Sequence, residues 1–305
     1  MKVTAAATSA ILLASCAGCE ARVYGSPSDR AESPQLTMVA PQGPVDATPE
    51  APANQVATGF DGLEMRAQQA TSDAAKKGAD IGFMVLDRET GQRVSAGHTR
   101  GMATASVVKL FIADDLLLRE PDLSPDDRAQ LDVMLRSSDD SAAEVFWNRG
   151  GGSAIVTRVA ARYGLAATSP PPNNGRWWNT MTSAEDLVRY YDMLLSGAGG
   201  LPMERANIIV NNLAQSTPMA IDGTQPGGVY PQRFGIPDGL PGDRVAVKQG
   251  WMCCIGSDWM HMSTGVVGAD RRYVMVIYSL QPTDAVTARN TITAAVKTMF
   301  PTGRI

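Results

Sequence analysis

The sequence predicts an α/β (α+β) domain in which one sheet, fed by strands from both ends of the chain, is flanked by helices and interrupted by a helical insertion. Three observations predict it. A short apolar run, Ile81–Leu86, is followed by the turn Arg88-Glu-Thr-Gly91 and a returning segment, Arg93–His98, which together read as a hairpin. Far downstream, Val245–Trp251, Asp258–Val267 and Arg272–Leu280 alternate or cluster apolar residues as strands do. Between the two sets lie several segments with helical periodicity. Strands at both ends with helices between them are most simply joined in one sheet.

Taken in order, Phe60–Ala79 is a helix, with Leu63, Ala67, Ala70 and Ala74 near a 3.6-residue period. Ser106–Leu118 is strongly apolar and long enough for a buried helix. Ser124–Leu135, Ser138–Trp147 and Ser153–Tyr163 each start at a serine cap. Thr182-Ser-Ala-Glu185 reads as a capping box, and Gly197 closes the helix that follows. Thr283–Phe300 is a last helix, stopped by Pro301. No internal repeat is visible.

The N-terminal part is built differently. Lys2 followed by a mostly apolar or small run, Ala5–Ala17, is too short to span a bilayer and fits a signal-peptide core. The run ends in Leu13-Ala-Ser-Cys16-Ala-Gly-Cys19, which resembles a bacterial lipobox, whose cysteine is acylated and becomes the mature N-terminus. Cys19 is the first choice and Cys16 the alternative. Cleavage before Cys19 leaves only Cys253 and Cys254, so no odd thiol remains in an exported protein. From Glu20 to about Thr58 the chain is rich in Pro, Ala, Ser, Gln and Thr and cannot bury enough apolar surface to offset ordering. The expected organisation is a signal peptide over residues 1–18, a disordered tether over 19–57 and a globular domain over 58–305, with the helical insertion at roughly 119–222. A hydrophobic content of 44% with 19% charged residues suits a packed core. A net charge of −4 without a Lys/Arg run excludes a nucleic-acid footprint. The expected partners are the membrane, through the lipid anchor, and cell-wall peptidoglycan or its precursors.

Ser106-Val-Val-Lys109 opens the apolar helix, and a spacing of three puts both side chains on one face. A hydroxyl needs a base to become a nucleophile, and a lysine of depressed pKa can act as one. Ser138-Asp-Asp140 follows at the start of another helix, and Lys248-Gln-Gly250-Trp251 lies on a strand. In type, order and placement these segments resemble the S-x-x-K, S-D-N and K-T-G motifs of class A β-lactamases and penicillin-binding proteins. The resemblance covers roughly residues 57–305. Within that superfamily of penicillin-recognising serine hydrolases the chain is most similar to a group of mycobacterial alanine-rich lipoproteins, on Ala105–Leu117 and Val247–Cys254.

The resemblance implies a β-lactamase/DD-peptidase-like antiparallel sheet flanked by helices, with a trimmed all-helical subdomain, since the gap from Ser106 to Ser138 is about half that of class A enzymes. It implies catalytic roles for Ser106 as nucleophile, Lys109 as base, Ser138 as proton relay and Lys248 as a cation facing a substrate carboxylate. Asp140, Gln249, Gly250 and Trp251 would contact substrate. The N–H groups of Ser106 and Trp251 would form the oxyanion hole. No cofactor is implied, and no cluster has metal-ligand spacing.

Several positions depart from the family pattern. Asp140 replaces an amide; an ionised carboxylate only accepts hydrogen bonds, and it favours a protonated Lys109. Gln249 replaces a hydroxyl and is expected to bulge toward the substrate carboxylate. Trp251 and Met252 narrow the site. The segment Leu165–Thr182 contains no carboxylate, so the family's deacylation base is missing, and Glu185 and Asp186 belong to the capping box. His98 and His261 lie in no recognisable motif, Trp177 and Trp178 either line the cleft or are buried, and Cys253-Cys254 is either a vicinal disulfide or a pair of buried thiols. Two functional readings follow, a serine hydrolase acting on cell-wall peptide, amide or ester bonds and poor against β-lactams, or a domain that binds without turnover.

Overall fold

A computed structural model describes residues 60–305. The proposed signal peptide, Cys16, Cys19 and the tether fall outside the described residues. The chain begins with α1 (Leu63–Ala75), then the hairpin β1 (Asp80–Asp87) and β2 (Arg93–Gly97). Short strand β3 (Met102–Ala103) leads through a 3-10 turn, Ala105–Val108, into α2 (Lys109–Arg119). There follow α3 (Pro125–Arg136), α4 (Asp140–Arg149), α5 (Ser153–Tyr163), β4 (Met181–Thr182), α6 (Ala184–Ser196) and α7 (Met203–Leu213). After the small hairpin β5 (Met219–Ile221) and β6 (Val229–Pro231) and a single turn, α8 (Ile236–Gly239), come the long strands β7 (Val245–Ile255), β8 (Asp258–Val267) and β9 (Tyr273–Gln281). Helix α9 (Ala285–Met299) ends the fold.

The sheet is five-stranded in the order β2-β1-β9-β8-β7, antiparallel throughout. Both ends of the chain thus meet at the β1–β9 pair, as the sequence pattern predicts. Side chains alternate across a strand, and the sheet separates two apolar layers. Val274, Val276, Tyr278 and Leu280 of β9 face the helices α2–α7, whereas Met275 and Ile277 face α1 and α9. Leu63, Ala67, Ala70 and Ala74 form the buried stripe of α1. Their small size lets α9 pack closely on it.

Helix boundaries shift from the sequence expectation by up to four residues, at the end of α1, and for α4 to α6 the caps show why. Asp139, not Ser138, caps α4, its Oδ1 accepting from the Ala142 N–H at 2.7 Å. Ser153 is the first helical residue of α5 rather than its cap. The capping box moves by one residue, since Ser183 Oγ accepts from the Asp186 N–H at 3.1 Å. Gly197 closes α6 in the left-handed conformation, as expected. Helix α2 is buried on nearly every side and carries its own charges inward. Asp114 accepts from Arg162, from Tyr163 OH at 2.5 Å and from Tyr190 OH at 3.4 Å. Asp115 takes a bidentate pair from Arg158, 2.7 Å on each arm. These contacts fix α2 against α5 and α6.

Candidate active site

The turn Ala105–Val108 places Ser106 at the mouth of α2, and one turn later Lys109 lies beneath it. Lys109 Nζ donates to Ser106 Oγ at 2.8 Å. It also reaches Ser138 O at 2.7 Å, Asp140 Oδ1 at 2.5 Å and Ser138 Oγ at 3.2 Å. An ammonium group has three protons, so four acceptors leave the longest contact weakest. The Trp177 ring packs over the same nitrogen at 4.8 Å. Lys248 Nζ arrives from β7 and donates to Ser138 Oγ at 2.8 Å. Ser138 therefore bridges the two lysines, and since Asp139 is the helix cap, Ser138 is free for that position.

Backbone strain concentrates here. Among the described residues the non-glycine residues with positive φ are Ala105 (44°), Ser138 (59°) and Arg271 (60°). Such conformations cost about 1–3 kcal/mol each and persist only where the surroundings impose them. One adjoins the candidate nucleophile and another is the bridging serine. Gly250 shows how tightly the edge strand approaches. A Cβ there would meet Thr104 O at 2.6 Å and Val107 Cγ2 at 3.2 Å, so only glycine lets β7 lie against the Ser106 turn.

Burial sets the electrostatics. Lys109 and Lys248 are fully enclosed. Burial holds Lys109 below the usual lysine range, with Asp140 pulling in the opposite direction. Lys248 is pushed well below it by burial and then by the Lys109 charge. Asp140 is not turned away, and its charge favours the protonated amine as the sequence reading expects, while burial pulls the other way and sets the net direction.

Gln249 corrects the sequence reading. With a period of two, Lys248 and Gly250 face the helical side and Gln249 faces α9. Its side chain is buried and donates to Gln232 O at 2.9 Å and Phe234 O at 2.7 Å, so it ties a loop to the back of β7 instead of bulging toward substrate. Trp251 packs on that same side, stacked on Tyr230 at 4.8 Å, yet its edge reaches the cleft wall, where Nε1 donates to Asp222 Oδ2 at 2.8 Å. The histidines stay apart from the cleft; His261 is buried against Tyr230 OH at 2.7 Å and is depressed to about 3 by burial and by Arg289.

Above the serine lies a cleft of about 350 Å³. Ser106, Asp140, Trp177, Trp178 and Trp251 line it, and so do Glu144, Asp222, Thr224, Gln225, Met252 and Cys253. Both tryptophans of the 165–182 loop therefore face the cleft. Cys253 and Cys254 are joined by a disulfide, with the peptide between them cis, and both are exposed, so the buried-thiol alternative does not hold. Glu144, Asp222, Thr224 and Gln225 escaped sequence reasoning. The sole signal for Glu144 was its spacing of four from Asp140 on α4, which puts them on one face. Asp222 belongs to a hairpin the sequence did not reveal. The carboxylate-free loop remains anchored, since Asp186 accepts from the Ala167 N–H at 2.8 Å and Thr168 Oγ1 at 2.7 Å.

A five-stranded sheet edge, a buried S-x-x-K helix and a bridging serine from a third segment together define the fold class of the penicillin-recognising serine hydrolases. Solved structures agree. The TLA-3 extended-spectrum β-lactamase matches with a TM-score of 0.62 at 14% identity, over 80% of this chain and 99% of its own. The β-lactamase from Streptomyces albus G matches at 0.59 and 19%, over 77% and 98%. PBP-A, in an acyl-enzyme complex with penicillin G, matches at 0.61 and 18%, over 80% and 96%. No family model matches the chain. The lipoproteins named LppW of Mycobacterium tuberculosis and Mycobacterium bovis are each 59% identical to it over 312 residues, 98% of this chain and 97% of theirs. The chain belongs to the LppW lipoprotein family.

Proposed function

We propose that this protein is an exported, lipid-anchored serine hydrolase that forms an acyl-enzyme at Ser106 with cell-wall peptide, amide or ester substrates. The observation that carries the reading is the 2.8 Å contact between Ser106 Oγ and a fully buried Lys109 whose pKa burial depresses. In its neutral form Lys109 keeps two protons for Ser138 O and Asp140 and offers its lone pair to the Ser106 hydroxyl. The serine proton passes to Lys109 as Oγ attacks the acyl carbon. The N–H of Ser106, in the first turn of a helix and so without an intrahelical acceptor, takes the developing oxyanion together with that of Trp251. Ser138, between the two lysines, passes a proton to the leaving group.

The acyl-enzyme is long-lived, because the 165–182 loop presents aromatic rings where class A enzymes place a carboxylate, and hydrolysis of β-lactams is correspondingly poor. Membership of a lipoprotein family supports anchoring at Cys19 on the extracytoplasmic face of the membrane, with residues 19–57 as the tether that reaches peptidoglycan or its precursors.

A second reading, a domain that binds without turnover, draws on one observation, the 2.5 Å contact between Asp140 and Lys109. Incubating the full chain with a fluorophosphonate and with a fluorescent penicillin, followed by peptide mapping, separates the two. Covalent mass on Ser106 that disappears in Ser106→Ala supports the hydrolase; absence of an adduct with either probe supports the binding domain.

A further inference from the structure

We propose that the cleft selects an acyl donor that carries a primary ammonium group, and this rests on the reading of Ser106 as the acyl-accepting nucleophile. The wall of the cleft holds three carboxylates, Asp140, Glu144 and Asp222, and no lysine, arginine or histidine. Lys109 and Lys248, which meet at Ser138, are both enclosed rather than exposed in that wall. Even fully protonated they supply two positive charges against three negative ones. Burial depresses both, which tilts the balance further. A carboxylate-bearing substrate would enter against this field, and a cation would enter with it.

The carboxylates are also held in place. Asp140 is matched by Lys109 at 2.5 Å, whereas Glu144 and Asp222 form no ion pair among the described residues. Each is instead fixed by an indole N–H of a tryptophan that lines the cleft. Trp177 Nε1 donates to Glu144 Oε2 at 3.1 Å, and Trp251 Nε1 donates to Asp222 Oδ2 at 2.8 Å. Asn148 Nδ2 holds the other oxygen of Glu144 at 3.0 Å, and Thr224 holds that of Asp222 through its N–H at 2.9 Å and Oγ1 at 2.6 Å. A carboxylate has about four acceptor sites, so both retain capacity for a further donor. Half-buried Trp178, set edge-to-face against Trp177 at 5.2 Å, adds an aromatic surface to the same cleft. Carboxylates fixed beside aromatic rings are the chemistry that binds ammonium groups, and the protein already uses it once, where the Trp177 ring covers Lys109 Nζ.

The test compares three fluorophosphonates of matched length, 6-aminohexyl, hexyl and 5-carboxypentyl, by their second-order rates of adduct formation on Ser106 in the full chain. The ammonium probe is expected to react about tenfold faster than the hexyl probe, between the sizes of an exposed and a desolvated cation–aromatic contact, and the carboxyl probe slowest. The ratio of ammonium to hexyl rates should fall toward one in Glu144→Gln/Asp222→Asn, which leaves one amide oxygen for each indole while removing the charge and the second acceptor oxygen. Equal rates for the three probes overturn the ammonium preference while leaving Ser106 as nucleophile. Absence of any adduct overturns the hydrolase itself. In that case binding of 6-aminohexanamide against hexanamide to Ser106→Ala, followed by tryptophan fluorescence at low salt, decides the preference alone. About tenfold tighter binding of the amine supports it, and equal affinity overturns it.

Discussion

Asp140→Asn removes the foremost of the charges that oppose Lys109 as a base, Asp139 and Asp222 pulling the same way more weakly. Asp140 Oδ1 lies 2.5 Å from Lys109 Nζ, but its side chain is 45% exposed, so water screens the pair. With a water-like dielectric constant, unit charges at that separation attract by about 2 kcal/mol, and a lower dielectric only enlarges the figure. Removing the charge withdraws that support from the protonated form. Burial, the opposing influence, stays, so the Lys109 pKa falls further below the usual lysine range. More of the neutral amine is then present at neutral pH. Since about 1.4 kcal/mol is a factor of ten, Ser106 should react with a fluorophosphonate about tenfold faster in the variant. The rising limb of its pH–rate profile should also move to lower pH. The assay is intact-mass kinetics of adduct formation between pH 5 and 10, with circular dichroism to establish that the variant is folded. A rate that is unchanged or lower, with the limb in its original place, would show that Lys109 does not deprotonate Ser106.

Lys248→Met should stabilise the fold by about 1–2 kcal/mol in urea denaturation while slowing Ser106 labelling, because a desolvated amine with two partners gives way to an apolar chain of similar length. Both buried lysines titrate below their unfolded value of 10.5, so between the folded and unfolded pKa the unfolded chain binds more protons and stability rises with pH. Denaturation midpoints should therefore climb from pH 7 to 9, and climb less in Lys248→Met. Gly250→Ala drives a methyl group into Thr104 O and should cost about 1–3 kcal/mol together with at least about a tenfold loss of labelling, as β7 is forced off the Ser106 turn. Asp114→Ala takes the acceptor from Tyr163 OH and the counter-charge from Arg162, leaving Arg162 and Tyr190 only Gly199 O and Leu110 O, and a loss of about 3–5 kcal/mol in thermal or chemical unfolding is expected.

The sequence announces the sheet and the three motif segments because each rests on a local pattern. Alternation marks the strands, small residues every three or four positions mark α1, and a spacing of three brings Ser106 to Lys109. What escaped it depends on direction or on distance. Gln249 was assigned to the cleft by analogy with a motif, although the strand's own alternation sends it to the opposite face. Ser138 was taken for a helix cap or a relay, and the choice turned on its neighbour Asp139 taking the cap. Asp222 follows the first strand of a hairpin whose strands are only three residues each, too short to leave a pattern, and Glu144 comes from an ordinary helical surface position. The balance between desolvation and the Asp140 charge at Lys109 is not a property of residue order at all; it requires knowing how much protein encloses the amine.

The two lysines join residues that are far apart along the chain. Lys109 reaches 29 positions to Ser138, and Lys248 reaches 110 positions to the same residue. Contacts across such separations form only once the intervening chain has been ordered, since the entropy of closing long loops must be met first. In the unfolded chain Lys109 is solvated and fully protonated at neutral pH, and Ser106 is a serine of ordinary reactivity. On the proposed reading, nucleophilicity is acquired with the tertiary structure and not before it, so a covalent probe of Ser106 would count only molecules that have completed their folding.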